Sequence, residues 1–252
     1  MSPADIKVAF GQPLEFGTAG IRGKMGIVGH DNRANSDQFS IEVANMLTTH
    51  GIMVKMFINN ELMPTPIISY AVRKLKLQAA INITASHNPK ADNGFKAYDE
   101  TGAQLLPKDT DDIAKRMSKI KDAIGLVMAP AVKLVTYVPQ SVMNSYLSEV
   151  TENLRIKKNL ELMKTKVVYT PHHGTGATTM LRLLESLNYQ VIPVKEQMTP
   201  DPNFSFSPSS NPEDAASYDL AIKYAEKNRC QLIMATDPDA DRLGIAVKHN
   251  GN

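Results

Sequence analysis

Apolar positions along the chain switch between two spacings. Phe39, Val43, Met46 and Leu47 fall three or four residues apart and predict one face of a helix that Gly51 would end. The run Ile52 to Ile58 reads as a strand, Ile68, Ala71, Val72 and Leu75 as the next helix, and Ala79 to Thr84 as the next strand. Phe95 to Leu105 holds a turn signal at Glu100-Thr101-Gly102 and suits a hairpin. Pro107 to Asp122 reads as a helix, opened by proline and carrying aspartates in its first turn, where the helix dipole favours them. A less regular stretch with Pro130 and Pro139 follows. The stripe Met143, Leu147, Val150 and Leu154 then predicts a connecting helix, with a domain boundary near residue 155.

Beyond that point the alternation starts again. Strand Lys166 to Thr170 leads through a glycine loop to a helix from Ala177 to Leu187, and strand Gln190 to Val194 leads to a loop rich in Pro, Ser and Asn from Thr199 to Asn211. Pro212 opens a helix ending near Asn228. Strand Gln231 to Thr236, an acidic loop and strand Leu243 to Lys248 complete the pattern. The expected class is α/β: two consecutive α/β domains, residues 1–155 and 156–252, with mixed, largely parallel sheets covered by helices.

One regularity points beyond fold. Thr84, Thr170 and Thr236 each end an apolar strand and open directly into a loop of reactive or flexible residues. In α/β sheets ligands collect outside the carboxyl ends of strands, so several loops of this kind suit one shared site.

Composition mainly excludes. The chain has 252 residues, 42% of them hydrophobic, which is enough for the cores of two ordinary domains. The formal charge is +2 and no block of Lys and Arg stands apart from the acids, which argues against nucleic-acid or membrane partners. The densest basic stretch, Arg155 to Lys158, suits a solvated helix face. No apolar run approaches the ~18 residues of a bilayer span, and Met1 to Phe10 lacks the apolar stretch of a secretory signal. A soluble cytoplasmic protein is expected. The one cysteine, Cys230, adjoins Leu232-Ile233-Met234 and reads as buried packing.

Three loops carry candidate chemistry. Asp237, Asp239 and Asp241 alternate, so an extended loop places three hard carboxylates on one side, a donor set suited to Mg²⁺. A calcium EF-hand is ruled out, because Arg242 and Lys248 stand where its glycine and glutamate belong. The pattern also suits a solvated acidic turn. Ser86-His87-Asn88-Pro89 offers a hydroxyl beside an imidazole, with Lys96 downstream as a possible base, although the same residues make a plain turn. No Gly-x-Ser-x-Gly elbow of a hydrolase is present. Finally, Phe16-Gly17-Thr18-Ala19-Gly20-Ile21-Arg22-Gly23 lets backbone N–H groups approach an anion and adds Arg22 as a phosphate clamp. A tight turn before a helix would explain its glycines equally well.

Taken in order, these motifs together with Asn93-Gly94-Phe95-Lys96 and Asp237-Pro238-Asp239-Ala240-Asp241-Arg242 resemble the α-D-phosphohexomutase superfamily, over about residues 10 to 250. Thr170-Pro171-His172-His173-Gly174-Thr175-Gly176 and Asp201-Pro202-Asn203-Phe204 resemble its phosphoglucomutase/phosphomannomutase branch. The resemblance implies that Ser86 bears a phosphoryl group and that Asp237, Asp239 and Asp241, with Ser86, hold Mg²⁺. It places Thr18, Arg22 and Arg242 close to the phosphate, and makes Lys96 a base and His87 a proton carrier or orienter. The implied activity interconverts hexose 1-phosphate and hexose 6-phosphate, glucose before mannose, through a sugar bisphosphate of the glucose 1,6-bisphosphate type. A non-catalytic binder of phosphosugar or metal that kept the loops is the other reading. Members of the superfamily have four domains, and the sugar-recognition and phosphate-binding loops of the third and fourth have no counterpart before Asn252. The chain is therefore expected to be a fragment with little mutase turnover by itself.

Overall fold

The computed structural model describes residues 25–120, 127–153 and 165–249, and the backbone alone of 15–17 and 20–22. The expected boundary near residue 155, the basic stretch Arg155 to Lys158, Thr18 and the Arg22 side chain lie outside the described residues.

Strands β1 (Glu15–Gly17) and β2 (Gly20–Arg22) pair antiparallel, with Phe16 opposite Ile21, so the described residues of the glycine motif are strand rather than the start of a helix. The first main sheet has five strands: β3 (Met25–His30), β4 (Met53–Met56), β5 (Ala79–Ile83), β6 (Phe95–Tyr98) and β7 (Val135–Tyr137), in the order β6-β5-β3-β4-β7. All pairings are parallel except β5 with β6. Its central strand, β3, has no counterpart in the apolar pattern, because Gly26 and Gly29 interrupt the run. Gly29 makes room for the α2 side of the core: a Cβ there would stand 2.5 Å from Ile68 Cδ1, which would have to shift.

Helices α1 (Ser36–Thr49) and α2 (Thr65–Lys74) cover opposite faces of this sheet. On one, Val28 packs with Ala44, Val54 and Met56; on the other, Ile27 packs with Ile67, Ile68, Ala71 and Val72. Helix α1 corrects the expected face. Its buried stripe is Ser36, Ser40, Ala44 and Thr48, with Val43 and Leu47 flanking it, whereas Phe39 is exposed. Small side chains let the helix lie close to the sheet, and buried hydroxyls are tolerated because they are bonded, as Ser36 Oγ is to Asp31 Oδ1 at 3.0 Å. Helix α3 (Pro107–Met117) starts at the expected proline, and α4 (Gln140–Asn153) packs Val142 and Met143 into the α2 side of the core.

The second sheet has the order β11-β10-β8-β9, built from β8 (Lys166–Thr170), β9 (Gln190–Pro193), β10 (Leu232–Thr236) and β11 (Leu243–Val247), with only β10–β11 antiparallel. Helix α5 (Gly176–Ser186) follows β8, and α6 (Asp219–Asn228) packs Ala221 and Ala225 against Val168, Ile233 and Ala235. Pro212 does not open α6: a short 3₁₀ turn, Ala215–Tyr218, precedes it, and the Pro212 carbonyl instead accepts the Tyr218 hydroxyl at 2.8 Å. Cys230 is buried in this core. Among the described residues no helix is long and apolar enough to cross a membrane. The two α/β units carry mixed, mostly parallel sheets, as the apolar spacing predicts.

Candidate active site

The loops that leave β5, β8 and β10 converge, and the threonines at the ends of β5 and β8 help to shape theirs. Thr84 Oγ1 accepts the Ser86 amide at 2.9 Å, and Thr170 Oγ1 accepts that of His172 at 3.1 Å. The 84–94 loop closes on itself where the Thr84 amide donates to the Gly94 carbonyl at 3.0 Å. Within it Ser86 adopts φ 52°, a left-handed conformation that costs a non-glycine residue energy and persists only where the surroundings enforce it.

Ser86 Oγ donates to Asp237 Oδ2 at 2.7 Å, which joins the first loop to the acidic one. Asp237 and Asp239 are fully buried, and ligand oxygens of Asp237, Asp239 and Asp241 lie within 4.8 Å of one another. Lys96 Nζ donates to Asp239 Oδ2 at 2.7 Å and to Asp241 Oδ2 at 3.0 Å, a cation already standing among these carboxylates. Asp239 Oδ1 is buried with no hydrogen-bond partner. A buried carboxylate oxygen without a donor, in a group of three acids, fits a divalent ion. This triad could hold a metal.

The acids have distinct electrostatics. Burial, and then repulsion from Asp239, pushes the Asp237 carboxyl up to about 7. Burial also opposes ionisation of Asp239, but Lys96 outweighs it and holds Asp239 below the usual carboxylate range. Burial acts on Lys96 in the opposite sense, yet Asp239 and Asp241 hold it above the usual lysine range.

His87 Nδ1 sits 3.4 Å from Ser86 Oγ, at the edge of hydrogen-bond reach. Arg242 joins the site through its backbone, whose N–H donates to Asp237 Oδ1 at 3.0 Å; its guanidinium instead pairs with Glu213 at 3.3 Å. Ser86, His87, Lys96 and the three aspartates are thus brought together, and the Arg242 side chain points elsewhere.

Two contributors have no sequence signature. Thr65, at the start of α2, donates from Oγ1 to Asp239 Oδ2 at 2.8 Å and from its amide to the Asp239 carbonyl at 2.9 Å. Arg33, just after β3, takes hold of the Ser86 loop from beneath.

Residues 26–123 match the family model for phosphoglucomutase/phosphomannomutase, alpha/beta/alpha domain I, and residues 144–251 match that for domain II. The chain belongs to the phosphoglucomutase/phosphomannomutase family. A phosphomannomutase of Mycoplasmoides pirum is 37% identical, over 100% of this chain and 53% of its own length. A phosphoglucomutase of Staphylococcus aureus is 34% identical over 98% of this chain and 50% of its own. A crystal structure from Thermus thermophilus superposes with TM-score 0.75 at 25% identity, covering 89% of this chain and 48% of that one. The chain spans about half the length of the curated relatives it matches.

For this member of the phosphoglucomutase/phosphomannomutase family, the raised Asp237 carboxyl sets a pH dependence. Between the ordinary aspartate value of 3.8 and about 7, the folded chain holds a proton that the unfolded chain has lost. This group's contribution to stability therefore declines as pH rises through that window. A metal held by Asp237 would have to displace the same proton. Mn²⁺ affinity, measured by calorimetry, is expected to rise about tenfold per pH unit up to about 7 and then level off. Equal affinity at pH 5.5 and 7.5 would contradict the protonated Asp237.

Proposed function

We propose that the chain carries the phosphoryl-bearing half of a phosphohexomutase, with Ser86 as nucleophile and Asp237, Asp239 and Asp241 as the Mg²⁺ ligands. The observation that carries this reading is the 2.7 Å bond from Ser86 Oγ to one acid of a three-carboxylate group that already holds Lys96. The division near residue 155, into a phosphoserine domain and a metal domain, is part of the proposal; helix α4 (Gln140–Asn153) packs Val142 and Met143 into the first core, whereas the second family segment already begins at residue 144.

Phosphoryl transfer asks for alignment and dispersal of negative charge. Mg²⁺, when bound, supplies charge neutralisation at the phosphoryl oxygens. In the forward step the bond between Ser86 Oγ and phosphorus breaks, and a sugar hydroxyl forms the new bond to phosphorus. The hydroxyl's proton passes to a base, and Ser86 Oγ leaves as an alkoxide that regains a proton. Lys96, as held here, is an ammonium and acts on phosphoryl charge; it becomes a base only after leaving Asp239 and Asp241. His87, at 3.4 Å, is the nearer proton carrier for Oγ. In this reading Thr18 and Arg22 contact the phosphate, and Arg242 joins them only once its guanidinium leaves Glu213.

The substrate class is a hexose phosphate, glucose or mannose, in keeping with the names of the relatives, with a glucose 1,6-bisphosphate-type compound as activator. We place the protein in the cytoplasm, with no nucleic-acid or membrane partner. The test is the intact mass of the chain after incubation with glucose 1,6-bisphosphate and Mg²⁺, followed by peptide mapping. One phosphoryl group on the Ser86 peptide is expected, and none with chelator or in Ser86→Ala. Uptake elsewhere, or no uptake at saturating donor, overturns the proposal.

A further inference from the structure

Arg33 lies just outside β3, is 3% exposed, and directs both terminal nitrogens at one loop. One terminal nitrogen donates to the carbonyls of Pro89 at 2.8 Å and Asp92 at 2.9 Å. The other donates to the carbonyls of Ser86 at 2.7 Å and Asn88 at 2.6 Å. Nε stands 3.3 Å from Asp31 Oδ2, and Asp31 Oδ1 in turn accepts the Arg33 amide at 2.9 Å. The guanidinium also lies 5.5 Å from the centre of the Phe204 ring, and neighbouring Asn32 donates to the Asp201 carbonyl at 3.1 Å. Segment 31–33 therefore ties the Ser86 loop to the 201–204 loop of the other sheet's domain. Those loops form opposite walls of a cleft of about 810 Å³ lined by His87, Asn88, Asn203 and Phe204.

Burying a guanidinium is costly, and a loop could be pinned by neutral groups at less expense. What a neutral group cannot do is serve four carbonyls at once. Arginine's planar fork holds five donors in fixed directions, whereas a lysine offers a single nitrogen. The feature that needs such enforcement is Ser86 itself, left-handed at φ 52° and gripped by its own carbonyl.

We propose that Arg33 is the positioning residue for the nucleophile: it sets the Ser86 backbone so that Oγ points at Asp237. This rests on the phosphoryl-bearing role of Ser86 given above. Two measurements on the full chain test it, with Arg33→Met and the milder Arg33→Lys.

The first is hydrogen exchange of the Ser86, Asn88 and Asp92 amides, all bonded within the 84–92 segment. Exchange is expected to quicken about tenfold or more in both variants while β5 and β10 stay protected. Unchanged loop exchange overturns the proposal whatever the phosphoryl assay gives. If the methionine variant does not fold, the lysine variant decides.

The second is the rate of phosphoryl uptake by Ser86 from glucose 1,6-bisphosphate. A displacement of the nucleophile of about 1 Å costs about 100-fold, and that loss is expected at saturating donor, with the half-saturating donor concentration little changed. A residue that merely supports the fold would lower the melting temperature without this split. Uptake equal to that of the unsubstituted chain overturns the proposal. An unsubstituted chain that takes up no phosphate, with loop exchange still quickened, sinks the phosphoryl-bearing role and leaves Arg33's hold on the loop standing.

Discussion

Replacing Asp239 with asparagine is expected to weaken Mn²⁺ or Mg²⁺ binding by at least about 100-fold and to abolish phosphoryl uptake at Ser86. Loss of a residue that only orients a metal ligand costs about 10–100-fold, so loss of a direct, buried carboxylate should exceed that. Asp239 is the acid with most at stake. Its Oδ2 accepts from Thr65 and Lys96, while its Oδ1 is buried without a partner. Asparagine keeps the shape, removes the charge, and turns an N–H₂ toward one of those positions. Lys96 loses half of its anionic environment, and Asp237 loses the neighbour that helps push its carboxyl up to about 7. The pH window of metal binding should therefore move down as the affinity falls. Calorimetric titration at several pH values reads both effects. Retained affinity in Asp239→Asn would remove the triad from consideration as a metal site.

The second large effect concerns a residue with no side chain. Gly174 backs directly onto Pro238, between Asp237 and Asp239. A Cβ at Gly174 would stand 2.7 Å from the Pro238 carbonyl carbon and closer still to its Cα and oxygen. Neither side can give way cheaply. The Gly174 amide is bonded to the Pro171 carbonyl at 2.8 Å, and the next amide, of Thr175, to the Pro238 carbonyl at 2.7 Å. Overpacking of this kind costs about 3 kcal/mol at the upper end. For a domain of this size that lowers the melting temperature by more than about 10 °C. Gly174→Ala is expected to show that loss together with weaker metal binding. Gly26→Ala is the control: its Cβ would meet only the Ala79 carbonyl, at an ordinary 3.5 Å, and should be neutral or slightly stabilising. Equal melting temperatures for the two variants would mean that the loops are not pressed together.

The regular part of the fold was legible where a strand or helix buries a continuous apolar face, as β8 and α2 do. β8 was readable to the residue, and the start of α3 was marked by Pro107. Failures came where burial is achieved without large apolar side chains. β3 is central yet carries two glycines, and α1 buries two serines, an alanine and a threonine instead of Phe39. At Pro212 a proline that usually opens helices serves as a carbonyl acceptor for Tyr218.

The loops of the site were legible for a related reason: reactive residues cluster directly after apolar strands. Their supports were not. Thr65 reaches Asp239 across 174 positions of sequence and Arg33 reaches the Ser86 carbonyl across 53. Neither contact leaves a local pattern, since Arg33 binds backbone carbonyls that every residue type provides.

The bonds that assemble the site also run between the two sheets. Ser86 and Lys96 come from the first, Asp237, Asp239 and Asp241 from the second, and Thr65 and Asn32 bridge them through backbone oxygens. Ser86 and the three acids therefore stand on different sheets. A small pivot at this seam would part Oγ from the carboxylate while leaving both hydrophobic cores whole. On the proposed reading, chemical competence reports on how the two sheets dock as well as on whether each folds, so a change that weakens the bonds between them would silence the chemistry without unfolding either core.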